Sequence, residues 1–284
     1  MKCWGWNYYG QVGDGTNVTK YTPTTLSTLT SVVSQIGAGD DHTCVLLTTG
    51  GVTCWGYNYH GQVGDGTNVN TNSPTTLSTL TSGVTQIAVG GGHTCALLDT
   101  GGVKCWGSNG SGQLGNGGVL NKNTPTFSNL TSGVTQIAAG EGHTCALLST
   151  GAVQCWGWNN YGQVGDGTNV NKYTPTTLST LTSGATQITA RSFHTCALLD
   201  TGGVTCWGRN FNGQLGDGTY VNRNTPTALS TLTSGVAQIT AGRDHNCALL
   251  STGGVKCWGR NDTGQLGDGT NTGRVTPVDV VIGN

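Results

Sequence analysis

Ten of the eleven cysteines form couples ten residues apart, and a histidine stands two residues before the first member of each couple. The couples are Cys44/Cys54, Cys95/Cys105, Cys145/Cys155, Cys196/Cys206 and Cys247/Cys257, and the histidines are His42, His93, His143, His194 and His245. Three chemistries fit. The couples can be disulfides, small buried apolar residues, or the sulfur half of a zinc site. His-x-Cys…Cys offers only three ligands, short of the four of a structural zinc site, so no metal is expected. A Thr-Gly turn lies midway between the partners. If it centres on Thr100, Cys95 faces Cys105 across a hairpin at a Cβ distance of about 4.5–5.5 Å, close to disulfide geometry. The favoured reading is a ladder of five disulfides in an oxidising compartment, outside the cell or on its surface. Cys3 is left over.

Other polar residues recur in the same way. Asn58, Asn109, Asn159, Asn210 and Asn261 share one position, and Gln62, Gln113, Gln163, Gln214 and Gln265 share another. One active site needs one constellation and not five copies. These side chains, with the five histidines, therefore read as partners for buried loop backbone. Asp65, Asp166, Asp217 and Asp268 sit in Gly-Asp-Gly-Thr, which suits calcium or, equally, plain turn chemistry. Asn116 replaces the aspartate in one unit. No nucleophile–base–orienter set and no phosphate-cradling loop is present, so neither catalysis nor a cofactor is expected.

The elements that must hold these residues follow from the repeat. Cys-Trp-Gly returns at Cys3, Cys54, Cys105, Cys155, Cys206 and Cys257, at intervals of 51, 51, 50, 51 and 51 residues. A single repeat domain spans 1–284, with units 1–50, 51–101, 102–151, 152–202, 203–253 and a partial 254–284. Within one unit, Val134–Ala139 reads as strand A, His143–Leu148 as B and Ala152–Trp156 as C. A fourth strand, D, surrounds Pro125 and Phe127. Four short strands every fifty residues predict propeller blades, and no 3.6-residue periodicity supports helices. Val278–Ile282 reads as strand A of the sixth unit. His-x-Cys-Ala-Leu-Leu should follow it and does not, so the C-terminus reads as truncated, or as awaiting a strand from another chain. Met1 runs straight into a repeat, so the natural start of a secreted precursor is not expected there.

Two runs carry a family resemblance. One is Trp207-Gly208-Arg209-Asn210-Phe211-Asn212-Gly213-Gln214-Leu215-Gly216-Asp217-Gly218. The other is the Ala-Gly-x-x-His-x-Cys-Ala-Leu-Leu strand. Both resemble the regulator of chromosome condensation repeat over essentially the whole chain, and the paired cysteines resemble those of secreted bacterial members. The resemblance implies an all-β propeller of about six four-stranded antiparallel blades, or an incomplete ring of seven. The eponymous nuclear member is a guanine-nucleotide exchange factor that binds chromatin. Here only 9% of residues are charged and the net charge is −1, so no basic footprint for nucleic acid exists. No run approaches the ~20 apolar residues of a membrane helix, and no membrane insertion is expected.

Antiparallel order puts the A–B and C–D loops on one face. The units differ most there. That face carries Trp6, Tyr8, Tyr57, Tyr59, His60, Trp158, Tyr161, Arg191, Phe193, Arg209, Phe211, Arg243 and Arg260. The opposite face repeats Leu-Ser-Thr-Leu at Leu26, Leu77, Leu178 and Leu229. Aromatic and arginine side chains on exposed loops are recognition chemistry; the competing reading is drift at solvent-tolerant positions. The sequence therefore predicts a non-catalytic extracellular scaffold that binds a protein or glycan through the variable face. The alternative is a structural protein that assembles with itself.

Overall fold

The computed structural model describes residues 1–281. Among them the chain is all β, with twenty-two strands in six sheets. Blade I holds β1 (Lys2–Gly5) and β2 (Lys20–Thr25) only. Blade II holds β3 (Val33–Ala38), β4 (His42–Leu47), β5 (Val52–Gly56) and β6 (Thr71–Thr76). Blade III holds β7 (Val84–Val89), β8 (His93–Leu98), β9 (Val103–Gly107) and β10 (Lys122–Phe127). Blade IV holds β11 (Val134–Ala139), β12 (His143–Leu148), β13 (Val153–Gly157) and β14 (Lys172–Thr177). Blade V holds β15 (Ala185–Arg191), β16 (His194–Leu199), β17 (Val204–Gly208) and β18 (Arg223–Ala228). Blade VI holds β19 (Val236–Ala241), β20 (His245–Leu250), β21 (Val255–Gly259) and β22 (Arg274–Asp279). Each complete blade is an antiparallel A–B–C–D meander, as the strand reading of one unit predicts.

The expectation for the last strand is corrected. Residues 274–279 form strand D of blade VI, in which Asp279 pairs with Lys256 and Val278 with Cys257. They are not strand A of a further unit, and Ile282 lies outside the described residues. Val278 and Val280–Val281 looked like the start of a new apolar strand. The Pro277 of Thr-Pro, a proline shared with every other strand D (after Thr in four of them, after Ser73 in blade II), is the signal that decides it. Proline removes a ladder donor and is tolerated where the donor would face outward, on an edge strand.

In blade III the B–C hairpin is closed by Leu98 N–H donating to the Gly102 carbonyl at 2.8 Å and Gly101 N–H to the Leu98 carbonyl at 2.9 Å. Gly101 sits at φ +77°, which explains the recurrent Thr-Gly. That turn sets Cys95 opposite Cys105. All five couples are disulfides with Cα atoms 4.1 Å apart. Cys3 is free.

The hydrophobic core lies between blades. Five clusters of buried residues occupy the five interfaces; one combines Leu46 and Val52 of blade II with Val84, Ile87, Ala96 and Trp106 of blade III. Strands A face a central channel of about 370 Å³. A glutamine of each strand A clamps the next. Gln35 Nε2 donates to the Ile87 carbonyl at 3.0 Å, and its Oε1 accepts the Ile87 N–H at 2.9 Å. Gln86, Gln136 and Gln187 do the same to Ile137, Ile188 and Ile239.

Candidate binding face

Among the described residues, the repeated polar side chains other than His245 are engaged in holding blades and loops. The Asn58 carboxamide accepts the Val63 N–H at 2.9 Å and donates to Asp65 and to the Thr67 and Val69 carbonyls. The Asp65 carboxylate in turn takes the Thr67 N–H and hydroxyl, an Asx-type turn. The Gln62 carbonyl accepts Trp106 Nε1–H at 3.0 Å and the Thr94 hydroxyl at 3.1 Å, both from the following blade. Gly64 (φ +83°) packs so closely on the Trp106 indole that a Cβ there would stand 2.5 Å from its Nε1.

The histidines belong to the same circuit. His42, His93 and His143 place Nε2 2.9 Å from the hydroxyls of Thr94, Thr144 and Thr195 in the next blade. Each of those hydroxyls donates to a glutamine carbonyl, so it accepts from the imidazole, which therefore carries its proton on Nε2. At the fourth interface Asn246 replaces threonine. Its Oδ1 accepts from His194 at 3.0 Å and its Nδ2 donates to the Gln214 carbonyl, so the relay survives the substitution. Burial drives the pKa of these imidazoles down to about 3 for His42 and His143 and about 4 for His93 and His194. A neutral imidazole whose Nδ1 has no partner lacks the orienter of an acid–base catalyst.

The A–B and C–D loops share one face, as strand order requires. Trp158 N–H donates to the Gly142 carbonyl and Arg209 N–H to the Phe193 carbonyl, tying the two loops of a blade together. Two aromatic clusters stand on this face. The first joins blades I and II: Trp6 and Tyr8 stack at 6.2 Å, Tyr9 meets Tyr57 at 4.6 Å, and Tyr57 continues to Tyr59 and His60. The second joins blades IV and V: Trp158 meets Phe193 edge-on at 4.8 Å, and Tyr161 lies 5.7 Å from both Phe193 and Phe211. The Arg209 guanidinium sits 5.2–5.9 Å from the rings of Phe211, Phe193 and Tyr161 and reaches Asp244 at 3.4 Å. Trp6, Tyr8, Tyr59 and Phe211 are exposed; Tyr57, His60, Trp158, Tyr161, Phe193 and Arg209 are half-buried. Ser108, Gly110 and Ser111 of blade III separate the clusters, so the candidate residues form two sites and not one continuous patch.

Arg191 and Arg243 belong to neither cluster. With Asp40, Glu141, Ser192 and Phe193 they line a cavity of about 290 Å³ at the channel mouth. Arg191 donates across the channel to the Ala38 carbonyl at 2.9 Å. Burial, a hydrogen bond that the protonated carboxyl donates to Asp40, and the charge of Asp40 push the Glu141 carboxyl up to about 7. Arg260 of blade VI pairs with Asp262 and borders the second cluster, sharing Asp244 with Arg209 and lining one hollow with Phe211. The Gln35-type clamps and the Asp40–Glu141 pair escape a reading of motifs. The clamps did leave a signal, a Gln-Ile at the same place in every strand A.

Six successive blade positions joined by one repeated circuit, and a match of the RCC1-like domain model to residues 1–283, decide the family. The chain belongs to the RCC1-like domain family. It is 31% identical over 280 residues to the ultraviolet-B receptor UVR8 of Arabidopsis thaliana, covering 98% of this chain and 52% of the receptor. It is 32% identical over 274 residues to the human E3 ubiquitin-protein ligase HERC2, of which it covers 5%. Thus the RCC1-like chain spans about half, or far less, of the curated relatives it matches. Among solved structures, human WBSCR16 superposes with TM-score 0.85 at 26% identity, covering 98% of this chain and 75% of that one. Yeast RCC1 (Prp20) bound to Kap60 superposes with TM-score 0.85 at 22% identity, covering 98% and 70%, and shows the fold alone.

Proposed function

We propose that this RCC1-like propeller is a non-catalytic recognition module that grips a protein partner through the loop face of blades IV and V. The observation that carries the reading is Arg209, held among the rings of Tyr161, Phe193 and Phe211 by Asp244, with Trp158 packed on two of those rings. Such an anchor presents a large, rigid surface whose ordering cost is already met by the fold. Among the solved relatives, yeast RCC1 (Prp20) is bound to Kap60 and has binding properties toward Gsp1p and histones, all of them proteins. Five disulfides favour a site of action outside the cell or on its surface. A glycan is the second reading, favoured by the uncharged Trp6–Tyr8–Tyr9–Tyr57–Tyr59 strip. Self-assembly is the third, since near-identical units suit it.

A glycan array and a pull-down from extracellular protein, run on the same preparation, separate these readings, with light scattering to fix the oligomeric state. A saturable protein partner lost on Trp158→Ala or Arg209→Ala supports the reading. Glycan binding lost on Tyr57→Ala and Tyr59→Ala, or open polymers with no partner, overturns it.

A further inference from the structure

Four of the six arginines are neutralised in place. Arg209, Arg223, Arg260 and Arg274 each pair with an aspartate. Arg191 and Arg243 pair with no carboxylate among the described residues, yet both line the cavity at the channel mouth that also holds Asp40 and Glu141. The two acids answer each other there, with the protonated Glu141 carboxyl donating to Asp40. Placing Arg191 in this cavity breaks a rule of the repeat. Its equivalents are Gly39, Gly90, Gly140 and Gly242. At each of them a Cβ would stand 2.1–2.5 Å from Cε1 of its own blade's histidine, so the usual backbone path excludes a side chain. Blade V takes another path. Its β15 ends on Arg191, which pairs with His194, and Ser192 turns the chain at φ +47°. Ser192 is the one non-glycine residue with positive φ among those described. A strained turn that carries a charged side chain into a cavity points to a use for that side chain.

One Arg191 N–H goes to the Ala38 carbonyl, which leaves the rest of the guanidinium fork for a ligand. An anion between the two arginines meets two positive charges and, while Glu141 holds its proton, the single negative charge of Asp40. The surplus of one positive charge matches a carboxylate better than a phosphate dianion, and the planar guanidinium fork fits the two oxygens of a carboxylate. We propose that this cavity binds one carboxylate group between Arg191 and Arg243. That carboxylate belongs to a small free acid or to an acidic side chain of a bound protein. Phe193 borders both this cavity and the aromatic anchor, but the site stands without that anchor. Glu141 sets the pH dependence. It faces Asp40 of blade II, Arg191 of blade V and Arg243 of blade VI, and packs on the uncharged Gly91 of blade III. Without ligand its carboxyl titrates at about 7. A bound carboxylate adds a negative charge beside it and covers the arginines that hold it down, so Glu141 keeps its proton more tightly. Affinity is therefore highest below about pH 7 and falls as pH rises through it, by up to about ten-fold per unit for one linked proton.

The test follows the six guanidinium carbons of the arginine-labelled chain by carbon-detected NMR, assigned by single substitutions. The probes are sodium acetate, the peptide acetyl-Gly-Asp-Gly-amide and inorganic phosphate, at constant ionic strength and at about pH 6 and about pH 8. The signals of Arg191 and Arg243 should shift together and saturate with a carboxylate, while the four paired arginines stay in place. Affinity should be about ten-fold or more higher at the lower pH, and Glu141→Gln should bind equally at both. Arg191→Gly, which restores the repeat's own residue, should keep the fold by circular dichroism and weaken binding at least about ten-fold. Arg243→Gln, at an exposed position, should do the same. A peptide that binds about ten-fold more tightly than acetate assigns the carboxylate to a protein side chain; equal affinities assign it to a free acid. Shifts that never saturate, or that move all six arginines alike, would mean general charge screening and overturn the site. So would a folded Arg191→Gly that binds as the parent does, or phosphate that binds more tightly than either carboxylate.

Discussion

Trp156 and Trp158 are two residues apart in one repeat, and the molecule uses them for opposite purposes. Trp156 ends strand C of blade IV, is fully buried at the interface with blade III, and donates Nε1–H to the Gln113 carbonyl at 2.9 Å. Gly157, at φ +100°, then turns the chain, and Trp158 emerges half-buried against Phe193 and Tyr161 on the loop face. The first position is tryptophan in every unit; the second is Trp, Tyr, Ser or Arg. What recurs is answered by the neighbouring blade, so a change there breaks two blades at once. What varies answers to nothing in the scaffold and is free to answer to a partner.

The sharpest way to break this comparison is to truncate both residues. Trp156→Ala should lower stability by about 3–5 kcal/mol, through the cavity and the loss of one of the two donors to the Gln113 carbonyl. Trp158→Ala should cost about 1 kcal/mol, the worth of its aromatic contacts. Denaturant unfolding followed by circular dichroism reads both. Comparable losses would mean that the loop aromatics are scaffold.

The cysteines give the next largest contrast. Replacing Cys145 and Cys155 together by alanine should cost about 2–3 kcal/mol, as expected for a short closed loop. Cys3→Ala should change stability by no more than ~0.5 kcal/mol, since nothing is bonded to it. A shift in melting temperature for Cys3→Ala matching that of the pair would contradict an unbonded Cys3.

The interior histidines predict acid sensitivity. Their folded pKa values, about 3 to 4, lie below the ordinary 6.5, so the unfolded chain binds more protons between those limits. Stability present above about pH 6.5 is lost as pH falls, with a slope on the order of 1.4 kcal/mol per pH unit for each histidine. His143→Gln should flatten melting curves between pH 4 and 6.5 by one such step. His245, lowered by burial but only half-buried, should contribute less. An unchanged slope in His143→Gln would place the acid lability elsewhere.

The smallest effect is of opposite sign. Glu141 is raised to about 7, so its contribution is complete below the ordinary carboxyl range and fades as pH rises through 7. The group is partly exposed, and solvent screens it. Glu141→Gln should remove a shallow loss of stability between about pH 5 and 8, read by the same melts.

The blades, the strand order and the disulfide partners were legible because a fifty-residue period repeats the same register signals: Thr-Gly turns, Cys spacing and alternating apolar residues. The shared placement of the A–B and C–D loops followed from strand order alone. The last strand departs from the sequence expectation because Val278 and Val280–Val281 are as apolar as a strand A, while only the Thr-Pro at 276–277 marks it as a strand D. The split of the loop residues into two clusters was not legible. It depends on ring-to-ring distances, and on the small side chains of Ser108, Gly110 and Ser111 leaving blade III bare. The role of Asn246 was likewise hidden. Only the distances show an amide doing the work of threonine, accepting from His194 while donating to the Gln214 carbonyl.

Recognition by the loop face is tested most directly by affinity measured on three single variants against the partner that the pull-down or array identifies. Trp158→Ala and Arg209→Ala should each weaken binding by about 1–2 kcal/mol, roughly 5- to 30-fold, with folding intact. Thr180→Ala, exposed on the opposite Leu-Ser-Thr-Leu face, should bind as the parent does. Loss of binding in Thr180→Ala, with Trp158→Ala and Arg209→Ala unaffected, would contradict recognition by this face.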